Sequence, residues 1–276
     1  MQRTELAYTQ ARPRGQAGAL AEAAQPLVSI IIPSRNGPSA ATRASIGAQA
    51  YPNIEVIVVA DGRERSAQIN DGARAAMGEY LYRVDDDLVL EPGVVSEAVE
   101  ACLGGCDAVV IHIESETSGR WARVRHLQRE CYKDDFGSEF ARFVSRTAFF
   151  SVGGFDEGLF AEEDRDFHDR LVGSGFRVGT VKAKETHIGE PRSLSDVVRR
   201  NAYYGPSFVA YYRKSGLRAL LRLGPIRRSY IRHWREIAAD PKMLCGFVVF
   251  EWVRYVSACA GALARERGNP SAGSRP

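Results

Sequence analysis

Residues Val84 to Gly93 read VDDDLVLEPG, three consecutive carboxylates at the end of an apolar, strand-like segment. Side chains alternate across an extended backbone, so this reading expects Asp85 and Asp87 on one side and Asp86 on the other. Two like charges converging on one spot raise the pKa of at least one of them unless a cation compensates. Carboxylate oxygens suit a hard divalent ion such as magnesium or manganese. In isolation a solvated acidic loop after a strand reads the same way, and the neighbouring segments decide between the two.

Working outward, Leu27 to Pro33 and Ile54 to Ala60 are β-branched apolar runs, with a helical pattern over Ser39 to Ala50 between them. Ser66 to Met77 predicts the next helix, Glu79 to Val84 leads into the carboxylates, and Pro92 to Leu103 opens with proline near a helix start. Ala108 to Ile113 predicts a fourth strand. Short buried runs alternating with helices point to parallel βαβ units, and so to an α/β fold with a mostly parallel sheet flanked by helices. In such sheets ligands gather beyond the carboxyl ends of the strands, where strand order reverses. Pro33, Ser34, Arg35 and Asn36 end the first predicted strand, Asp61 and Gly62 the second, and Asp85 to Asp87 the third.

The 276 residues, 45% hydrophobic and 26% charged, suffice for a sizeable core without disulfides or a structural metal. A net charge of +3 gives no general nucleic-acid surface, so no nucleic-acid partner is expected. Five cysteines, with no CxxC pair, fit a reduced, cytosolic protein. Residues 1–26 lack the continuous apolar core of a secretory signal and read as a flexible leader. The nearest approach to a membrane span, Met243 to Ala264, carries Glu251 and Arg254 near its centre, which argues against a simple spanning helix.

The ordered series VSIIIPSRNG, NIEVIVVADG, NDGARAAMGEYLYRVDDD, GGFDEGLFAEEDRDFHDRL and ETHIGE resembles glycosyltransferase family 2, with its nucleotide-diphosphosugar-binding, Rossmann-like GT-A fold. The resemblance covers roughly Leu27 to Gly189. It implies a UDP- or GDP-sugar donor and a divalent metal, Mn or Mg. Pro33, Ser34, Arg35, Asn36 and Asp61 would hold the nucleoside, with the Asp61 carboxylate accepting from base N–H groups. An ordinary tight turn also explains Asp61-Gly62. Asn70 with Arg74 would reach the ribose or diphosphate, although a polar helix face explains them equally. Asp85, beside Asp86, would approach ribose or sugar hydroxyls. Asp87 would bind the metal bridging the two phosphates, with Asp85 and His187 as further contacts.

In the second acidic cluster, Glu162, Glu163, Asp164 and Asp166 stand at a predicted helix start, where the helix dipole favours negative charge. Arg170, four residues on, offers Asp166 a partner. The resemblance makes Asp164 the general base that deprotonates the acceptor hydroxyl during an inverting displacement, with Glu163 its neighbour and the alternative one residue away. His187 follows an expected strand, Arg177 to Ala183.

The Q-x-x-R-W motif that the family's processive synthases carry does not occur, since Gln128 is followed by Arg-Glu-Cys-Tyr; single-sugar transfer is implied. Arg123, Arg125, His126 and Arg129 within Trp121 to Phe140 would meet an acceptor phosphate or form a solvated face. Between Arg213 and Arg235 eight Arg or Lys residues and no acid interleave with Leu217, Leu220, Leu221, Leu223, Ile226, Tyr230, Ile231 and Trp234. That pattern suits a membrane surface, or alternatively a C-terminal helical cap.

The expected organisation is a leader at 1–26, a GT-A catalytic domain at 27–190, a helical basic and apolar region at 191–266 that associates with membrane, and a tail at 267–276. The expected function is inverting, metal-dependent transfer of one sugar to a hydroxyl or phosphate acceptor, glycan or lipid-linked, at the cytoplasmic face of an anionic membrane. A nucleotidyltransferase is the first rival, but it would show a Gly- and Lys/Arg-rich phosphate loop that Ser34 to Pro38 lacks. The second is a catalytically silent membrane-binding adaptor, against which intact Asp85, Asp87 and Asp164 argue.

Overall fold

The computed structural model describes residues 25–133, 139–216, 224 and 227–267. Most of the expected leader, Leu217, Leu220, Leu221, Leu223 and Ile226 of the basic stretch, and all but the first residue of the expected tail lie outside the described residues.

In chain order the elements are β1 Val28–Pro33, α1 Ala40–Gly47, β2 Ile54–Val59, α2 Arg65–Ala75, β3 Tyr80–Arg83, β4 Leu88–Leu90, α3 Val94–Leu103, β5 Ala108–Val110 and β6 Ile113–Ser115. There follow α4 Arg120–Glu130, β7 Ala141–Ser145, α5 Arg146–Ser151, α6 Glu163–Gly173, β8 Val178–Thr180, β9 Glu185–His187, α7 Leu194–Ser215, α8 Arg228–Arg232, α9 Trp234–Ala238 and α10 Pro241–Arg267. The chain divides into two compact units. One is built on residues up to His112 with Phe140–Asp156 and Phe167–Glu185; the other is built on Ile113–Glu139, Glu157–Asp166 and residues from Thr186 on.

The first unit carries a six-stranded sheet in the order β2-β1-β3-β7-β5-β8. β1 runs parallel to both β2 and β3, and β5 parallel to β8, whereas β7 is antiparallel to β3 and β5. β1 is buried along its whole length, as a central strand covered on both faces must be, which is why VSIIIP is almost uniformly apolar. β2 lies at the sheet's edge and exposes Val56 and Val58. Strand order reverses at β1, with β2 on one side and β3 on the other, so the ligand crevice expected of such sheets lies beyond the ends of β1 and β3. Ile31, Ile69, Leu81, Val144, Phe149, Phe155 and Phe167 share one core, in which the Phe155 and Phe167 rings stack at 4.5 Å. Each such side chain removed from water is worth roughly 1.5–3 kcal/mol.

Two sequence expectations change here. β7 was not foreseen, because Arg142 interrupts the apolar run ARFVS and a five-residue strand leaves little pattern. The strand expected over Arg177 to Ala183 contracts to Val178–Thr180, and His187 closes a separate short strand.

The second unit is mainly helical. Ser193 caps α7 in a reciprocal box with Asp196, satisfying two amide groups at the helix start. Val124, Tyr132, Val197, Tyr230, Phe247 and Phe250 form its core. α7 and α10 touch backbone to backbone: a Cβ on Gly205 would strike the Ala258 carbonyl, and one on Gly261 the Ala202 carbonyl. Glu251 and Arg254, the charges that argued against a simple spanning helix, pair with each other at 2.8 Å, and Gln128 donates to Glu251. Pro241–Ala264 within α10 is long and apolar enough to cross a membrane, with a mean hydropathy of 1.4.

Candidate active site

The three acids do not continue the strand. β3 ends at Arg83, and Asp86 and Asp87 form a turn in which the Leu88 N–H donates to the Asp85 carbonyl at 3.2 Å. Strand alternation therefore does not set their directions. Asp86 turns back to the end of β1, where the Ser34 hydroxyl donates to its Oδ2 at 2.5 Å. Its carbonyl accepts from the Ser39 N–H at 2.9 Å and the Thr42 hydroxyl at 3.0 Å, which fixes the turn to the start of α1. Burial pushes the Asp86 carboxyl up and the neighbouring Asp87 and Asp85 charges push it further, while the Ser34 hydrogen bond opposes them.

Asp85 lies among guanidinium groups: Arg142 Nη2 at 3.4 Å, Arg65 Nη1 at 3.5 Å and Arg83 Nη1 at 3.9 Å. Arg142 also reaches Glu185 Oε2 at 3.1 Å through its Nε, and the Tyr82 hydroxyl donates to the other Glu185 oxygen. Glu185 is fully buried, and burial raises its carboxyl although Arg142 opposes the shift. A buried chain of Tyr82, Glu185 and Arg142 thus leads to Asp85 of the acidic turn.

Of the other residues expected near a nucleoside, Pro33 and Ser34 are buried and Arg35 and Asn36 are exposed just beyond them. Asp61 caps its own turn: the Arg63 N–H donates to Oδ1 at 3.0 Å and the Arg63 Nε to Oδ2 at 2.7 Å. The Arg63 amide and guanidinium together with Gln68 hold this carboxyl below its usual range. Gln68 joins the ends of β1 and β2 by donating to Asp61 Oδ1 at 3.2 Å and to the Ser34 carbonyl at 3.1 Å. Asn70 departs from the expected donor contact. Its amide is committed to the backbone of Phe155, donating to the carbonyl at 2.9 Å and accepting from the N–H at 2.8 Å, so it holds the Gly153-Gly154-Phe155 loop. Arg74 pairs with Asp71 on the same helix.

In the second unit, the loop before the second acidic cluster hangs on Ser207 of α7. The Ser207 hydroxyl accepts from the N–H groups of Phe160 at 3.2 Å and Ala161 at 3.0 Å, and donates to the Ala161 carbonyl at 2.8 Å. Glu162 follows at φ 63°, a left-handed conformation that costs a non-glycine residue of order 1 kcal/mol and recurs at functional loops. Its carboxylate accepts from Arg165 Nε at 2.7 Å. Glu163 and Asp166 are buried, and Asp166 pairs with Lys214 at 2.7 Å; Asp164 is half-buried. Asp164 is therefore more open to solvent than either acid.

His187, in the same unit, places Nδ1 at 3.1 Å from Glu190 Oε1. Glu190 also receives the Ser115 hydroxyl at 2.5 Å and Arg129 Nη2 at 3.0 Å. Burial alone would raise the Glu190 carboxyl; His187, Arg129 and Arg125 more than reverse this and hold it well below the usual carboxylate range. A carboxylate on one ring nitrogen fixes the tautomer and orientation of an imidazole whose other nitrogen is a ligand. Sequence reading missed Glu185 and Glu190 as partners although both stand in ETHIGE, flanking His187 by two and three positions.

The glycosyl transferase family 2 model matches residues 63–156, which include α2, β3, the acidic turn and β7. No curated protein matches the chain. Among solved structures, a mannosyltransferase from Pyrobaculum calidifontis, in complex with GDP-Man and Mn2+, superposes with a TM-score of 0.57 at 16% identity, covering 87% of this chain and 88% of that one. TarS 1-349 of S. aureus in complex with UDP gives a TM-score of 0.46 at 12% identity over 88% of this chain and 92% of its own. The family match covers about a third of the chain, across the acidic turn, and the structural likeness shows a GT-A fold around it.

Proposed function

We propose that this chain is a family 2 glycosyltransferase that moves a single sugar, with inversion, from a UDP- or GDP-sugar to a hydroxyl or phosphate acceptor, glycan or lipid-linked, at the cytoplasmic face of a membrane. The observation that carries the reading is the acidic turn Asp85–Asp87, tied by Ser34 and Asp86 to the point where strand order reverses. Pro33, Ser34, Arg35, Asn36 and Asp61 would receive the nucleoside. Asp61 would exchange its Arg63 contacts for base N–H groups.

The donor atoms of the turn are carboxylate oxygens, and Asp86, raised chiefly by burial, is raised further by the neighbouring Asp87 and Asp85 charges. That chemistry fits a hard divalent cation, which Asp87 would hold first, with Asp85 as a further contact. When bound, such a cation supplies Lewis-acid neutralisation of the departing nucleoside diphosphate. Asp85, held by Arg65, Arg83 and Arg142, orients ribose or sugar hydroxyls. Asp164 accepts the proton of the acceptor hydroxyl as its oxygen forms a bond to the anomeric carbon and the bond to the diphosphate oxygen breaks. A single displacement of this kind inverts the configuration, and a placed general base contributes about 100- to 10,000-fold.

The test is a screen of nucleotide sugars for thermal stabilisation with and without Mn2+, since a ligand that binds only the folded chain raises its apparent stability. Product from the stabilising donor is then examined by NMR. Inverted anomeric configuration is expected. Retained configuration, or stabilisation by no nucleotide sugar, would overturn the reading.

A further inference from the structure

α10 has two chemically different sides. Facing inward, Phe247, Phe250, Glu251 and Ala258 are buried, and Gly261 packs on α7. Facing outward, every exposed position from Leu244 to Ala264 is uncharged, and Leu244, Val248, Val249, Trp252, Val256 and Leu263 are large apolar side chains in the open. At about 100° per residue these six fall within one stripe of the helix surface, and at 1.5 Å per residue the stripe is about 28 Å long. Monomeric soluble proteins rarely leave so continuous an apolar surface in water.

We infer that this stripe is the bilayer-contacting surface: α10 lies along the membrane with its outward face in the hydrocarbon boundary and its inward face still on the protein. The inference rests on the membrane contact in the reading above and adds which side chains make it and in what posture. Two observations favour lipid as the occupant, and a third sets the posture. First, the stripe offers almost no hydrogen-bonding side chains, whereas protein interfaces carry about one hydrogen bond per 100–200 Å². Second, the elements just before it expose Arg228, Arg232, Arg235 and Lys242 against Glu236 and Asp240, an excess of positive charge suited to anionic headgroups, together with the apolar Ile231 and Trp234. Arg227 is not one of these cations, because its guanidinium lies over the Tyr132 ring at 5.2 Å and the Tyr230 ring at 5.9 Å. Third, the posture follows from the inward side. Crossing the bilayer would pull the Glu251–Arg254 pair away from Gln128 and separate the glycine contacts with α7, whereas lying flat disturbs neither.

The experiment uses the full chain and vesicles of phosphatidylcholine with and without phosphatidylglycerol. Cys245 and Cys259 are exposed and stand on the same helix, so they report directly. A polar maleimide should label both in solution, and an environment-sensitive fluorophore attached there should shift to the blue on adding vesicles. Val248→Glu and Val256→Glu should each lower vesicle partitioning by at least about tenfold, the scale of one buried apolar side chain. Their circular dichroism and urea midpoints should stay unchanged, and donor-induced thermal stabilisation should persist. If the wild-type chain floats but both variants float equally well and the attached fluorophore does not shift, the stripe is not the contact and the inference fails alone. Cysteines closed to maleimide in solution would show that the chain itself covers the stripe. A dimer that Val256→Glu dissociates would assign it to a second copy, and either result overturns the inference. A wild-type chain that ignores both vesicle types would take the membrane reading down with it.

Discussion

The Ser34 hydroxyl donates to Asp86 Oδ2 at 2.5 Å, joining the end of one strand to the acidic turn that follows another, 52 residues on. This bond opposes the burial and like-charge repulsion that raise the Asp86 carboxyl. Ser34→Ala should therefore push that carboxyl higher and cost roughly 1–2 kcal/mol in a urea titration, with weaker nucleotide-sugar binding. A variant as stable as wild type with unaltered donor affinity would mean that the turn is held by its backbone contacts alone.

Asp87→Asn should leave the unfolding midpoint unchanged and remove the dependence of donor binding on Mn2+. Calorimetric titrations of both proteins, each with and without a chelator, measure this. Equal affinity in all four conditions would remove Asp87 from the metal site.

Asp164→Asn should bind donor almost normally while turnover falls by about 100-fold or more. Glu163→Gln is the informative partner, because Glu163 is buried and Asp164 half-buried. An active Asp164→Asn beside a dead Glu163→Gln would move the base by one residue.

Arg142 connects Asp85 to the fully buried Glu185. Arg142→Met leaves two carboxylates facing a neutral side chain, and a loss of about 3–5 kcal/mol is expected in chemical unfolding. Adding Glu185→Gln should restore part of it, since the buried charge goes as well. A single variant within about 1 kcal/mol of wild type would show that Arg142 does not carry this cluster.

Glu55 accepts hydrogen bonds from the Ser29 hydroxyl at 2.5 Å, the Met77 N–H at 2.6 Å and the Gly78 N–H at 3.1 Å. Its modest burial would raise the carboxyl, but these donors and Arg146 bring it below its ordinary value. A depressed carboxyl contributes stability that is complete above the unfolded-state value and is lost as pH falls through the folded-state value. The stability difference between wild type and Glu55→Gln should accordingly be present at neutral pH and shrink on acidification below about pH 4. It should be small, because the carboxylate is largely in water. A difference that grows on acidification would contradict the assignment.

What the sequence made legible was local and periodic. β1 shows itself as VSIIIP because a central parallel strand has no polar face, and the acidic turn because three carboxylates in a row are conspicuous. The directions of those carboxylates were not legible, because alternation holds only while the chain stays extended and here it turns after Arg83. β7 was hidden by Arg142, the residue that proves to partner Asp85. Asn70 read as a polar helix residue near a ligand, yet its partner is Phe155, 85 positions away, and spacing along one chain says nothing of such pairings. Glu251 and Arg254 read as obstacles to a simple spanning helix because hydropathy averages over a helix, whereas their pairing puts both on one side of it.

The glycine seam between α7 and α10 acts as a rotational key. With no room for a Cβ at Gly205 or Gly261, α10 has one azimuth about its own axis at which the two backbones can touch. A slip of one residue turns a helix by about 100°. Such a slip would carry Glu251 toward the place that Trp252 now occupies. Two residues with no side chain thereby decide which flank of a 27-residue helix is oily, and evolution can alter that flank one residue at a time while the key keeps its bearing.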